Sequence, residues 1–193
     1  MQSLLIYIHG FLSSPQSIKA QETQQYINSA QLPVEQITPG LSNYPMQAYQ
    51  QLQELVQANS GRQIALIGSS LGGFMATALA EEFGLKAILV NPAVKPYELI
   101  SGVLGENTNP YTGETFILDE SHIKELHQLE VQPITRPERL KVLLQTGDET
   151  LDYRKAVSYY HGCPQAVEEG GDHRFQGFEN HLPEAFKFLE LVE

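Results

Sequence analysis

Residues 68–73 read Gly68-Ser69-Ser70-Leu71-Gly72-Gly73 and carry the sharpest chemical signal in the chain. The segment follows the apolar run Ile64 to Ile67 and precedes a pattern with helical spacing that begins near Phe74. A serine centred in G-x-S-x-G between a strand and a helix is the nucleophile-elbow arrangement. Its glycines permit a turn tight enough to hold a strained serine above the end of a sheet. Ser70 occupies that centre; the alternative is an ordinary glycine-rich turn between strand and helix. Phosphate-binding motifs fail on residue type: Gly68 and Gly73 have Walker-like spacing, but Phe74-Met75 stands where Lys and then Ser or Thr are needed. Gly68, Gly72 and Gly73 also lack the spacing of the dinucleotide fingerprint.

A serine hydroxyl attacks a carbonyl only when a base removes its proton, so Ser70 calls for a histidine and an acid that orients it. Behind such an elbow the acid comes next along the chain and the histidine last. The aspartates after Ser70 are Asp119, Asp148, Asp152 and Asp172. Asp148 lies in Thr146-Gly147-Asp148-Glu149, just past the apolar run Val142 to Leu144, where a loop at a strand's carboxyl end aims it at the site. It is the first candidate acid. Asp152 is the alternative acid, with N-capping of a helix that starts near Tyr153 as its simpler role. The candidate base is His173 in Gly170-Gly171-Asp172-His173-Arg174-Phe175, a glycine-containing loop between the last apolar run and the last helical pattern. His122 and His127 fall on different faces of a helix and do not make a metal pair. His161 and His181 read as surface or helix-end residues.

These side chains need a scaffold that brings distant loops to one edge. Short apolar runs occur at Leu4 to Ile8, Val34 to Ile37, Ile64 to Ile67, Ala87 to Val90 and Val142 to Leu144, with a weaker one at Gln165 to Val167. They suit parallel strands buried on both faces. Between them, Tyr49, Leu52, Leu55 and Val56, then Met75, Leu79 and Phe83, fall at helical spacing, as do Phe186, Leu189 and Val192 near the end. The alternation predicts a doubly wound three-layer α/β/α sandwich with a mainly parallel sheet and right-handed crossovers, folded as a single domain over 1–193. Residues 93–139 break the pattern: no strand is evident there, and Gly102, Gly105, Asn107, Asn109, Pro110 and Gly113 crowd one part. A structureless loop of that length is unusual, so one or two short helices are expected, with Ile123, Leu126 and Leu129 marking one. Such an insertion sits above the carboxyl ends of the strands and is a candidate cap. Its Val94, Tyr97, Leu99, Ile100, Val103 and Leu104 are candidates to line an acyl pocket above Ser70.

A formal charge of -11 and a pI near 4.9 disfavour nucleic-acid and anionic-membrane partners. Cys163 is the lone cysteine, which excludes an intramolecular disulfide and fits a reducing compartment. The N-terminus runs directly into Leu4 to Ile8 and then His9-Gly10, which reads as a buried strand and not a signal peptide. No run approaches the roughly 18 to 20 apolar residues of a membrane span. A cytoplasmic protein is expected; its oligomeric state is not legible.

In order, His9-Gly10-Phe11, Gly68-Ser69-Ser70-Leu71-Gly72-Gly73, Thr146-Gly147-Asp148-Glu149 and Gly170-Gly171-Asp172-His173 resemble the α/β-hydrolase superfamily over nearly the whole chain. Asn91-Pro92-Ala93, Asn109-Pro110-Tyr111-Thr112-Gly113 and Leu151-Asp152-Tyr153-Arg154 are similar to the small bacterial YqiA-type esterase family. The resemblance implies an esterase, with thioesters as well as carboxylic esters as substrates. His9-Gly10 resembles the element whose next residue donates to an oxyanion hole, which assigns the donors to the backbone N–H groups of Phe11 and Leu71 and leaves His9 to hold the loop. Two departures matter. The chain begins almost at the His9 strand, without the antiparallel strands usual before it, and Asp148 follows Gly147 immediately, which keeps Asp152 open.

The function these features support is a serine hydrolase of small-molecule esters or thioesters. Ser70 would form an acyl-enzyme that water, activated by His173, then hydrolyses. It requires no metal ion and no organic cofactor. A non-catalytic binding module on the same fold and a peptidase are the alternatives, and nothing in the sequence forms a recognisable pocket for a peptide side chain.

Overall fold

The computed structural model describes residues 2–192. Its strands are β1 (Ser3–Ile8), β2 (Val34–Ile37), β3 (Ile64–Ser69), β4 (Lys86–Val90), β5 (Gly105–Thr108), β6 (Thr115–Leu118), β7 (Leu140–Gln145) and β8 (Gln165–Glu168). Its helices are α1 (Ile18–Ser29), α2 (Pro45–Ala58), α3 (Leu71–Phe83), α4 (Pro96–Ile100), α5 (Glu120–Gln128), α6 (Tyr153–Tyr159) and α7 (Leu182–Phe188). Six strands pair in parallel in the order β2-β1-β3-β4-β7-β8. The winding reverses between β1 and β3.

Both faces of this sheet are covered, which is why its strands read as unbroken apolar runs. Leu4, Ile6, Ile8, Leu66, Leu89 and Leu144 point into one core layer, beneath α2, α3 and α6. Their neighbours Leu5, Tyr7, Ile67, Val90 and Leu143 point into the other, beneath α1 and α7. A fully buried Leu, Ile or Phe stabilises by about 1.5–3 kcal/mol, so these two layers dominate the folding energy. The helices follow from local chemistry. Proline at its first position suits the start of α2, whose Tyr49, Leu52 and Val56 are buried along one stripe. Gly84, at φ 68°, ends α3 by donating its N–H to the Ala80 carbonyl, a left-handed cap that glycine adopts freely.

Register brings the loops together. Ile8 pairs with Gly68, Ser69 with Val90, and Val90 with Leu143. His9, Ser70 and Asn91 therefore leave the sheet side by side, and Asp148 follows shortly after the end of β7. In open α/β sheets ligands bind at this carboxyl edge, near the reversal of winding.

The stretch between β4 and β7 contains α4 and α5, and it also contains the antiparallel hairpin β5–β6, so the expectation that it holds no strand is corrected. Phe116 and Leu118 are buried while Ile117 is 60% exposed, the period-two pattern of a half-buried strand. With only four residues in each strand and β5 reading Gly-Glu-Asn-Thr, turn-forming composition masked it. Phe116 packs edge-on against Phe11 and Tyr44, each at 6.1 Å between ring centroids, so the hairpin leans on the loop after β1. Among the described residues no helix is long and apolar enough to cross a membrane.

Candidate active site

Ser70 sits between the end of β3 and the start of α3 with φ 56° and ψ −122°, a region that L-residues other than glycine avoid. Close packing explains the flanking glycines. A Cβ on Gly68 would lie 2.3 Å from the Gly72 carbonyl oxygen, and one on Gly72 would lie 2.1 Å from the Ile8 carbonyl oxygen. A side chain at Gly68 would force the strand away from the first turns of α3, and one at Gly72 would push the elbow off β1, so the strained turn is held by packing on both sides. The Ser70 N–H donates to the Val90 carbonyl at 3.1 Å, and the Ser70 carbonyl accepts from Gly73 at 2.9 Å and Ala93 at 3.0 Å.

His173 Nε2 lies 3.1 Å from Ser70 Oγ, and His173 Nδ1 lies 2.8 Å from Asp148 Oδ2 and 3.0 Å from Oδ1. Because a carboxylate only accepts, Nδ1 carries the proton and Nε2 presents its lone pair to the serine hydroxyl. The Asp148 side chain is 2% exposed, and Oδ1 also accepts the N–H groups of Thr150 at 2.9 Å and Leu151 at 2.8 Å. These bonds fold the loop after β7 into a tight turn with the carboxylate facing inward. Asp152 is not part of this chain of bonds. Its carboxylate caps α6 through the Arg154 N–H and pairs with the Arg154 guanidinium, which holds its pKa below the usual carboxylate value.

Phe11 and Leu71 lie beside Ser70, in the loop after β1 and at the first position of α3. Among the described residues neither N–H donates to another group of the chain. The N–H of Leu71, in the first turn of α3, has no acceptor within its own helix. His9 is buried, and burial pushes its imidazole below the usual range, so it is neutral at pH 7. Its Nδ1 donates to the Gly10 carbonyl at 3.0 Å. That carbonyl and the Phe11 N–H belong to one planar peptide, so fixing the first aims the second.

The cavity beside Phe11 and Leu71 has a volume of about 30 Å³ and is also walled by Leu12, Leu41, Pro45 and Met75. None of the six apolar residues expected to line an acyl pocket reaches it; Val94 and Leu99 instead wall a separate cavity of about 70 Å³ with Pro92, Thr150 and Leu151, against the Asp148 loop. Val94 and Ile100 pack into the core, Tyr97 stacks on His127 at 3.7 Å, and Leu99, Val103 and Leu104 are exposed. The short α4 buries Pro96 and Ile100 on one side, next to α5, and turns the other to solvent. A larger cavity of about 830 Å³ runs from Val94 and Lys95 past Asp152, at the far end of the Asp148 loop, to Pro137 and Cys163, towards the amino ends of β7 and β8, and Ser70, His173 and Asp148 do not wall it.

Three contributors to the geometry escaped the sequence reading. Glu149 accepts the His173 N–H at 3.0 Å. Asn91 and Gln145, both buried, bond to the His173 loop. Asn91 and Glu149 left a trace in the sequence, as members of Asn91-Pro92-Ala93 and Thr146-Gly147-Asp148-Glu149, and Gln145 left none. Among the described residues no three His, Cys, Asp or Glu side chains group as a metal site.

Comparison with known proteins agrees with this architecture. The model of a family described as "Uncharacterised protein family (UPF0227)" matches residues 4–190. The UPF0227 protein YcfP of Salmonella gallinarum is 24% identical over 190 residues, spanning 96% of this chain and 99% of that protein. Among solved structures, mouse alpha/beta hydrolase domain-containing protein 10 superposes with a TM-score of 0.77 at 19% identity, over 100% of this chain and 92% of that one. Est1E from Butyrivibrio proteoclasticus, with ferulic acid bound, superposes with a TM-score of 0.75 at 15% identity, over 97% of this chain and 87% of that one. The chain thus has the α/β-hydrolase fold.

Proposed function

We propose a serine hydrolase function for this chain, which belongs to the UPF0227 family: cleavage of short-chain carboxylic esters, and of acyl thioesters, through an acyl-enzyme on Ser70. The observation that carries the proposal is the unbroken line of hydrogen bonds from Ser70 Oγ through His173 to Asp148, built on a strained elbow. Similarity in fold to the esterase domain of a Rhodothermus marinus protein, with a TM-score of 0.66 at 18% identity, supports the reaction class.

Ser70 Oγ attacks the ester carbonyl carbon while His173 Nε2 takes its proton. Negative charge develops on the carbonyl oxygen and is met by the N–H groups of Phe11 and Leu71. Asp148 keeps the imidazole in the correct tautomer and stabilises its cation. When the intermediate collapses, the carbon–oxygen bond to the alcohol breaks and His173 returns its proton to that oxygen. A water then gives a proton to His173 as its oxygen attacks the acyl carbon, and when the bond from that carbon to Ser70 Oγ breaks, His173 returns the proton to Oγ and the acid leaves. A thioester follows the same course with a thiol as the leaving group. Residues 93–139 act in this account as a cap whose hairpin braces Phe11 and whose outer face is open. The free, buried Cys163 is in keeping with a reducing compartment, and the proposal includes a cytoplasmic location.

The size of the cavity beside the oxyanion donors sets the acyl preference. Space on the scale of one water admits a methyl or ethyl group and little more. Each buried methylene contributes about 0.8 kcal/mol, roughly fourfold in kcat/KM, until the wall is reached. p-Nitrophenyl esters are therefore expected to be cleaved most efficiently as acetate to propionate, with decline by hexanoate. Met75→Ala, which removes part of that wall, is expected to move the optimum to longer chains. Efficiency still climbing through octanoate in the unmodified protein would contradict the assignment of this cavity.

A further inference from the structure

Asn91 is buried at 2% exposure and has a left-handed backbone, φ 40°, directly after β4. Asparagine is among the few residues that tolerate this conformation. Every polar atom of its side chain is engaged, and each bond goes to the backbone of another loop. Nδ2 donates to the carbonyls of Asp172 at 3.0 Å and His173 at 3.4 Å. Oδ1 accepts the N–H of Gln145 at 3.0 Å, at the end of the strand that leads to Asp148. Gln145 is also buried and completes the cradle. Its Oε1 accepts from Asp172 N–H at 3.3 Å and Gln176 N–H at 2.9 Å, and its Nε2 donates to the Gln176 carbonyl at 2.8 Å and to Glu168. The same short segment holds the nucleophile: Val90 and Ala93 bond the two ends of the Ser70 peptide unit, and a Cβ on Gly73 would lie 2.8 Å from Pro92 Cβ.

We infer that Asn91 is a positioning residue that locks the His173 loop and the Asp148 loop to the serine elbow, so that one tripeptide, Asn91-Pro92-Ala93, sets the distances between all three side chains. The His173 loop needs such a clamp. It contains Gly170, Gly171 and Phe175 at positive φ, and among the described residues no strand pairs with its backbone at its centre. With the carbonyls of Asp172 and His173 unanchored, the loop keeps its bonds to Gln145 and Glu149 but loses its tie to the serine elbow, and the imidazole can drift by the ångström or so that separates a reactive geometry from an idle one. A purely structural asparagine, one that only satisfies buried carbonyls, would affect stability and leave the imidazole in place.

The kinetic part of the inference rests on the hydrolase function proposed above, so the test reads position and rate separately. Asn91→Gly keeps the left-handed backbone and removes the clamp. In the full chain, specifically ¹⁵N-histidine-labelled, the downfield Nδ1–H resonance of His173 reports its bond to Asp148, and p-nitrophenyl acetate hydrolysis reports the rate. For the folded variant, well below its melting temperature, the resonance is expected to be lost. The kcat is expected to fall about 10²-fold, with KM changed little because the lost interaction acts on the reacting geometry. If Asn91→Gly does not accumulate as folded protein, Asn91→Asp carries the same test, because it preserves the backbone preference and sets an acceptor against the two carbonyls. A folded variant with the resonance intact overturns the inference, whether or not kcat falls. If unmodified protein fails to hydrolyse any ester, the hydrolase function fails, and the resonance comparison still decides the role of Asn91.

Discussion

Replacing Ser70 by alanine is expected to abolish ester turnover, with kcat falling on the order of 10⁶-fold, the scale seen when the nucleophile of a working triad is removed. The change takes away only the hydroxyl that faces His173 Nε2 at 3.1 Å. The backbone bonds of the elbow, to Val90, Gly73 and Ala93, do not involve that hydroxyl and stay in place. Activity should therefore vanish without a loss of melting temperature. Ser70→Gly sharpens the expectation. At φ 56° a side chain costs about 1–2 kcal/mol that glycine escapes, so this variant should be equally inactive yet no less stable than the parent, as expected where strain is retained for function. Thermal denaturation alongside p-nitrophenyl acetate kinetics checks both. Appreciable turnover by Ser70→Ala would remove the serine from the reaction.

Asp148→Asn is expected to lower kcat by about 10⁴-fold, and Asp152→Asn to leave it near the parental value. The asparagine oxygen at 148 can still accept the N–H groups of Thr150 and Leu151, which turns the amide nitrogen towards His173 Nδ1. Two donors then face each other, so the imidazole is driven to the tautomer with its proton on Nε2. That tautomer cannot take the proton of Ser70. Asn at 152 loses the ion pair with Arg154 and weakens the cap of α6, a change that registers in thermal stability and not at the imidazole. Steady-state kinetics at a temperature where both variants are folded separates the two carboxylates. A larger loss for Asp152→Asn would hand the acid role to that residue.

How much of this was legible in the sequence depended on whether the determining contact was local. The strand–elbow–helix around Ser70 is written in consecutive residues, and the parallel sheet in runs such as Leu4 to Ile8 and Ile64 to Ile67. His173 stood out because glycines surround it and a helical pattern follows. The sequence ranked Asp148 ahead of Asp152 from its place just past an apolar run but left both open, because both lie in one loop and the turn onto Thr150 and Leu151 decides which carboxylate faces inward. The hairpin β5–β6 was hidden by turn-forming residues, and its stability comes from Phe116 packing on Phe11, about a hundred residues away in the chain. The expected acyl-pocket residues divide for a related reason: apolar character in the cap shows that side chains seek cover but not where, so Ile100 finds it in the core while Val94 and Leu99 wall a small cavity against the Asp148 loop. Asn91 and Gln145 left almost no signal, since a buried amide bridging three loops follows no periodicity.

Labelling intact protein with a fluorophosphonate and mapping the adduct by peptide mass spectrometry tests the central claim most directly. The probe reacts only with a serine activated by a neighbouring base, so the account predicts stoichiometric modification of Ser70, absent in His173→Ala. An adduct on Ser69 or Ser13, or no adduct on folded protein, would contradict it.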